Sequence, residues 1–229
     1  MRKKISNRIL LGGGIVFLVF SFFIVLIVFL YNGQSKKQDI ASTIESKFSF
    51  PDGKYAGLDI HGSWSVFVSF GDVWNANFNI KRGNPSDVKV SVSGSVLIVD
   101  VVSGSDVKGD IYVTMPELKT LSVLGSSDIS IKGFEEKKLD VNVSGAANIS
   151  AEDCSFSLLG LDISGAGAVD FSSVSVDDVV LDLSGASSVK IMANKSVKGE
   201  VSGVSSVVIY GNPEVVDIDS SGLASVLRK

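Results

Sequence analysis

A seven-residue unit, Val143-Ser-Gly-Ala-Ala-Asn-Ile149, recurs along the second half of this 229-residue chain. Each copy has an apolar residue, the pair Ser-Gly, three mostly small or polar residues and a second apolar residue. The period of about 20 residues is typical of solenoid proteins. The clear copies are residues 143–149, 163–169, 183–189 and 201–207, with weaker copies at 123–129 and 220–226. Their shared glycines are Gly125, Gly145, Gly165, Gly185, Gly203 and Gly222.

Alignment of the copies on this glycine predicts which side chains face inwards. Apolar residues stand four and two positions before the glycine and four positions after it, as in Val141, Val143 and Ile149. Polar or small residues alternate with them, which is the period-two pattern of half-buried strands. Stacked coils would place like side chains on one another at about 4.8 Å. The repeat therefore predicts an all-β solenoid of short parallel strands over residues 119–229, with about 20 residues in each coil.

The Ser-Gly pair has a predicted structural role at the corners of the coils. A chain that turns tightly once in each coil needs a residue that accepts positive φ, and glycine does so without steric cost. The neighbouring serine can form a hydrogen bond with the backbone at the turn. A ligand-binding glycine loop is the alternative, but no helix follows these glycines to supply a phosphate cradle.

Residues 48–118 lack a recognisable repeat but keep the alternation of strands, as in Ser63–Phe70 and Asp110–Met115. A solenoid whose end is uncovered would expose unpaired strand edges. We therefore predict that this region forms an N-terminal β cap. Its aromatic residues are predicted to fill the core of the cap, with an exposed platform for a carbohydrate or another partner as the alternative. They are Trp64, Trp74, Phe67, Phe70 and Phe78.

The N-terminal 47 residues differ in composition from the rest. Leu10–Tyr31 is a 22-residue stretch without a charged side chain, long enough to cross about 30 Å of hydrocarbon as a helix. It exceeds the apolar region of a cleaved signal peptide and lacks a small-residue cleavage site, so an uncleaved anchor is favoured over a cleaved signal. The preceding tail, residues 1–9, contains four basic residues, which predicts a cytoplasmic N-terminus. Residues 32–47 are then a polar tether to a periplasmic or extracellular domain.

Charge and residue usage exclude several classes of function. Outside the first 31 residues there are 17 basic and 25 acidic residues, a net charge of −8, which is the wrong sign for a nucleic-acid partner. A single cysteine, Cys154, and a single histidine, His61, supply neither a disulfide framework nor an ordinary zinc site. A Cys-His catalytic dyad would require these two residues to meet. The sequence therefore predicts no enzyme, no cofactor and no bound metal of these kinds.

An acidic column occupies the position three residues before the repeat glycines. It includes Asp162 and Asp182, which would be stacked on the outer surface. Like charges at strand spacing repel each other. We expect solvent to screen them, and a bridging calcium ion between Asp162 and Asp182 is the alternative.

The repeats also carry a family resemblance. The Ser-Gly corners, the lead-in Met115-Pro-Glu-Leu118 and the late segment Val207-Val-Ile-Tyr-Gly-Asn-Pro213 together resemble the head GIN domain of putative autotransporter adhesins. The resemblance covers about residues 55–227. It implies a right-handed parallel β-helix that faces outward from a membrane, and it implies no catalytic residues.

These features predict a non-enzymatic, membrane-anchored module for adhesion or for interactions in the cell envelope. Its partner, an unidentified envelope or surface component, would bind along the polar faces or near Trp64 and Trp74. Self-association into a structural scaffold is the alternative, through head-to-tail stacking of an incompletely capped last coil. A polysaccharide-active enzyme is a further alternative, because it needs paired carboxylates that the acidic column could supply.

Overall fold

The computed structural model describes residues 54–229, and almost every regular element in this part of the chain is a β-strand. A single 3-10 turn, Pro85–Asp87, is capped by the Asn84 side chain, which accepts from the amide of Ser86. The strands are β1 (Gly57–Phe70), β2 (Asn75–Arg82), β3 (Val88–Ser93), β4 (Val96–Val101), β5 (Lys108–Met115), β6 (Thr120–Lys132), β7 (Glu135–Glu152), β8 (Ser155–Gly185), β9 (Ser188–Val201), β10 (Ser206–Tyr210), β11 (Val215–Ser220) and β12 (Ser225–Arg228).

The repeat strands β6 to β9 stack in parallel, which confirms the predicted all-β solenoid. Gly125 pairs with Gly145, and Gly145 pairs with Gly165, so equivalent positions of successive copies lie side by side. Between β8 and β9 the register shifts after Phe171 and again after Val176. These two irregularities account for the shorter spacing of 18 residues between Gly185 and Gly203 in the sequence.

The interior consists of the aliphatic columns that the alignment predicts. Leu121, Val141, Leu161 and Leu181 stack with at most 2% of their surface exposed. Complete burial of one such side chain contributes about 1.5–3 kcal/mol. Because each coil contributes the same columns, the apolar core is continuous along the described solenoid.

The structure corrects the prediction that the N-terminal region lacks the repeat. β1 pairs in parallel with β6, and Gly62 lies opposite Gly125. Leu58, Ile60 and Val66 are buried at the positions where the later copies have aliphatic residues. The copy is hard to recognise because His61 replaces the serine and Trp64 occupies a position that is small in the later units. β1 is therefore a coil of the solenoid and not part of a separate cap.

The cap consists of the strands that follow β1. β4 and β5 pair in parallel with the two halves of β1, on the side opposite β6. β3 and β2 then pair antiparallel with β4 and β5 and form the outermost layer. The register of β2 shifts between Ile80 and Arg82, and such bulges, with nearby lysines, disfavour edge-to-edge pairing.

The other end of the described solenoid is more open. β11 pairs with β9 and β12 pairs with β10, and neither has a strand on its outer side among the described residues. Val226 stands in the inward column four residues after the repeat glycine, yet it is 36% exposed. Arg228 lies six residues after Gly222, where earlier coils have the buried Phe171, Ile191 and Ile209. The Arg228 guanidinium donates to the carbonyl of Pro213 at 3.0 Å.

The predicted tail, residues 1–9, the predicted span, Leu10–Tyr31, and the predicted tether, residues 32–47, lie outside the described residues. Within residues 54–229, no helix combines the length and apolar character that a membrane crossing requires.

Candidate functional site

The repeat glycines lie one above another and allow the coils to approach closely. Gly62 extends the column by one coil, and all seven glycines have φ between 74° and 137°. A Cβ atom on Gly145 would lie inside van der Waals contact of the carbonyl oxygen of Gly125, and the same relation holds between Gly165 and Gly145. The geometry gives this column a structural role, because side chains at these positions would push adjacent strands apart.

The two tryptophans are not equivalent, and the structure corrects the prediction that Trp64 could present a partner surface. Trp64 is 3% exposed, packs edge-to-face against Phe78 at 6.2 Å and donates from Nε1 to the carbonyl of His61 at 2.9 Å. Trp74 is half-buried and donates from Nε1 to the carbonyl of Tyr55 at 2.8 Å. The ammonium of Lys54 lies 5.6 Å from the centre of its ring.

Asp162 and Asp182 both line a shallow groove of about 330 Å³ on the face before the glycine column. Calcium takes six to eight oxygen ligands. Among residues 54–229, no three His, Cys, Asp or Glu side chains are grouped so that they could hold a metal ion. The calcium ion between Asp162 and Asp182 therefore stays a prediction, and the described residues place no third acidic, His or Cys ligand beside this pair.

His61 and Cys154 have separate partners and do not form a dyad. The His61 ring lies between two carboxylates, with Nε2 3.1 Å from Asp59 and Nδ1 3.3 Å from Asp100. The Cys154 thiol is buried and donates to the carbonyl of Glu152 at 3.1 Å. Burial raises the pKa of the Cys154 thiol, so the thiolate that a nucleophile requires is disfavoured.

An exposed aromatic pair lies at one end of the face that follows the glycine column. Phe67 of β1 is paired with Tyr112 of β5, and their rings stack with centroids 5.0 Å apart and planes inclined by 12°. Their exposed fractions are 44% and 46%, so the predicted burial of Phe67 in a cap core is wrong. The sequence did contain the signal, because Phe67 alternates with Val66 and Val68, both of which are buried.

A groove of about 360 Å³ begins at this pair and crosses the strands of the solenoid. Two rows of outward side chains border it, and the sheet forms its floor. The row nearer the glycines consists of Ser65, Asp128, Asn148, Ala168 and Ser188. The other row consists of Phe67, Ser130, Ser150, Asp170 and Lys190.

The polar groups of the groove are already partly paired with each other. Asn148 Nδ2 donates to Asp128 at 2.7 Å across neighbouring coils. Lys190 Nζ donates to Asp170 at 3.1 Å, and the Ser172 hydroxyl donates to the same carboxylate at 2.6 Å. The hydrogen bond from Ser172, with the contribution of Lys190, lowers the pKa of Asp170. These contacts fix the orientation of donors and acceptors along the groove.

Comparison with known families and structures places this chain among related proteins. Residues 54–213 match the model of the family described as putative auto-transporter adhesin, head GIN domain. The chain belongs to this family. The match spans β1 to β10 and includes the groove and the column glycines from Gly62 to Gly203. No protein among those with curated descriptions matches the chain significantly.

Solved structures that are similar to this chain include proteins named as putative adhesins. A putative adhesin from Bacteroides fragilis is 15% identical, with a TM-score of 0.59 over 77% of this chain and 93% of its own. A putative lipid binding protein from Parabacteroides distasonis, also 15% identical, has a TM-score of 0.47 over 78% of this chain and 94% of its own. A putative adhesin from Parabacteroides merdae is 13% identical, with a TM-score of 0.41 over 77% and 92% of the two chains. At these identities the likeness extends to the fold of this head GIN domain alone.

Proposed function

We propose that this head GIN domain protein is a non-enzymatic binding module of the cell envelope, anchored by Leu10–Tyr31 and displayed on the outer side of the membrane. Right-handed winding of the solenoid is part of the proposal, from the family resemblance. The single observation that supports binding is the groove of about 360 Å³ that starts at the exposed Phe67–Tyr112 pair. Concave sites that combine aromatic surface with a few oriented polar groups are typical of ligand binding.

Two further observations support a role without catalysis. The described carboxylates of the groove are engaged with Asn148, Ser172 and Lys190. The family is described as putative auto-transporter adhesin, and the similar structure from Bacteroides fragilis is named a putative adhesin. The polysaccharide-active alternative would require a free pair of carboxylates placed as acid and nucleophile or base.

The test is co-sedimentation of the full chain with bacterial envelope fragments. Ser150→Trp places a large side chain in the middle of the groove, and Ser144→Trp places the same side chain on the neighbouring exposed face. We expect Ser150→Trp to weaken binding at least about tenfold and Ser144→Trp to change it less than about twofold. Equal binding by both variants and the wild type would contradict a role for the groove.

Self-association is the second candidate function, and the open C-terminal end supports it. β11 and β12 have no outer neighbour in the described chain, and Leu227 is 49% exposed. Unpaired strand edges of this kind can template pairing with another chain. Sedimentation of the full chain over a range of concentrations should give a growing series of oligomers, and a monomer at all concentrations would contradict the scaffold role.

A further inference from the structure

We propose that the groove beginning at Phe67 and Tyr112 binds a neutral oligosaccharide, with Phe67 as the stacking platform. The inference rests on the proposed function of the same groove and specifies the chemical class of its ligand. It follows from three properties: the exposed aromatic surface, the two rows of hydrogen-bonding groups and the near balance of charge.

The aromatic pair provides a flat apolar surface beside polar groups. Phe67 lines the groove, and Tyr112 stacks behind it at 5.0 Å. The two rings support each other, so the exposed Phe67 is held in one orientation without being buried. Stacked aromatic side chains of this kind bury large areas on contact with a ligand and keep a defined geometry. The C–H face of a sugar ring is flat, apolar and similar in size to a phenyl ring.

The rows of polar side chains match the edges of such a ligand. Side chains at alternate positions on one strand are about 6.8 Å apart, and successive coils are about 4.8 Å apart. The row from Phe67 to Lys190 crosses four steps between strands, a length of about 19 Å. This length exceeds a single sugar ring and fits a chain of several. Ser130, Ser150 and Asn148 supply hydroxyl and amide groups that can both donate and accept.

The charged groups of the groove are paired with other side chains, and their sum disfavours an anionic ligand. Its lining includes two carboxylates, Asp128 and Asp170, and one ammonium, Lys190. Lys190 neutralises Asp170 at 3.1 Å, and Asp128 accepts from the Asn148 amide. An anionic polymer such as a nucleic acid would face a net negative groove. A peptide that binds by adding a strand to the sheet is also disfavoured. The backbone groups under the groove, from Ser65 to Ser188, are already paired with neighbouring strands.

The experiment is titration calorimetry of the full chain with defined sugars. The protein is kept in a polyoxyethylene detergent, since detergents with sugar headgroups would compete. The probes are neutral hexamers of β-linked glucose, mannose and N-acetylglucosamine, with oligogalacturonate as the anionic comparison. We expect at least one neutral hexamer to bind and the anionic oligomer to bind at least about tenfold more weakly.

Variants connect binding to the groove. Phe67→Ala should weaken binding of the neutral hexamer at least about tenfold, while Phe67→Tyr should retain it within about threefold. Leu124→Ala is the matched control, because Leu124 is 50% exposed but lines a different groove. If Phe67→Ala fails to fold, Asn148→Ala leaves the aromatic pair intact and should still weaken binding.

The outcomes separate this proposal from the function on which it rests. Absence of binding by every neutral hexamer, or unchanged binding by both Phe67→Ala and Asn148→Ala, overturns the oligosaccharide assignment. If envelope fragments still bind and Ser150→Trp still weakens that binding, the groove has a ligand of another class. If envelope binding is also absent, both proposals fail.

Discussion

At the scale of single residues, the glycine column determines how closely successive coils can stack. Gly145 has a φ of 132°, and a Cβ at this position would overlap the carbonyl of Gly125. Two residues after Gly125, the inward side chain is also small. Ser127 is 5% exposed there, and its hydroxyl donates to the carbonyl of Gly62 at 3.4 Å. Small residues at both positions keep the corner narrow enough for continuous strand pairing through it.

We predict that Gly145→Ala destabilises the domain by about 3 kcal/mol, because backbone strain and overpacking each cost about 1–3 kcal/mol. Gly94→Ala is the matched control. Gly94 also has a positive φ, 60°, but a Cβ there would meet no atom within 4 Å, so its cost should be about 1 kcal/mol from backbone strain alone. Urea denaturation of both variants gives the comparison, and equal losses would show that contact between coils contributes nothing.

At the scale of elements, the repeat strands and the presence of a cap could be predicted from sequence, whereas the strand pairing of the cap and the position of the groove could not. The aliphatic columns of β6 to β9 follow from alternation because each copy pairs with its neighbour in the chain. β1 pairs with β4, β5 and β6, and these pairings leave no periodic signal. The alternation of Phe67 with Val66 and Val68 indicates that its side chain faces outward. It does not indicate that Tyr112 lies beside Phe67, because that depends on the pairing of β1 with β5.

The hydrogen bonds of Asp170 link β8 to β9 and should make stability depend on pH. Its lowered pKa means that the folded state favours the carboxylate, so this stabilisation is present above the ordinary value of 3.8 and is lost as pH falls through the lowered value. We predict that Asp170→Asn costs less than about 1 kcal/mol at pH 7, because about half of its side chain is exposed to solvent, which screens the charge. The difference from wild type should shrink towards pH 2 in urea denaturation, and a difference that is independent of pH would contradict this account. Lys190→Met, which removes the second partner, should cause part of the same loss.

At the scale of the whole molecule, the described solenoid is a nearly one-dimensional array. Each coil contacts the coil before it and the coil after it, and the same columns continue through all of them. Stability in such arrays is approximately a sum over coils and the interfaces between them. The number of coils can therefore vary more easily than the number of residues in each coil.

This leads to a prediction about deletion of a complete coil. Removal of residues 141–160 joins Asp140 to Leu161 and should place Gly125 opposite Gly165, because Gly145 pairs with both. We expect a folded protein with β-type circular dichroism and a cooperative but lower melting transition. Removal of only residues 141–150 is the control, since it keeps the inward and outward alternation but removes Gly145 and leaves Gly125 and Gly165 30 residues apart, which is one and a half coils. A folded half-coil variant, or an unfolded full-coil variant, would contradict the model of interchangeable coils.

The position of β1 between β6 and the pair β4–β5 has a consequence for how the chain assembles. β4, β5 and β6, which pair with β1, are all synthesised after it. The backbone groups along both edges of β1 therefore form their hydrogen bonds only when these later strands are present. Once β6 has paired with β1, each later coil can pair with the coil before it in the order of synthesis. We therefore expect the pairing of β1 with the cap and with β6 to be the slow step of folding, because these contacts join segments that are far apart in the chain, and the later coils to follow in chain order.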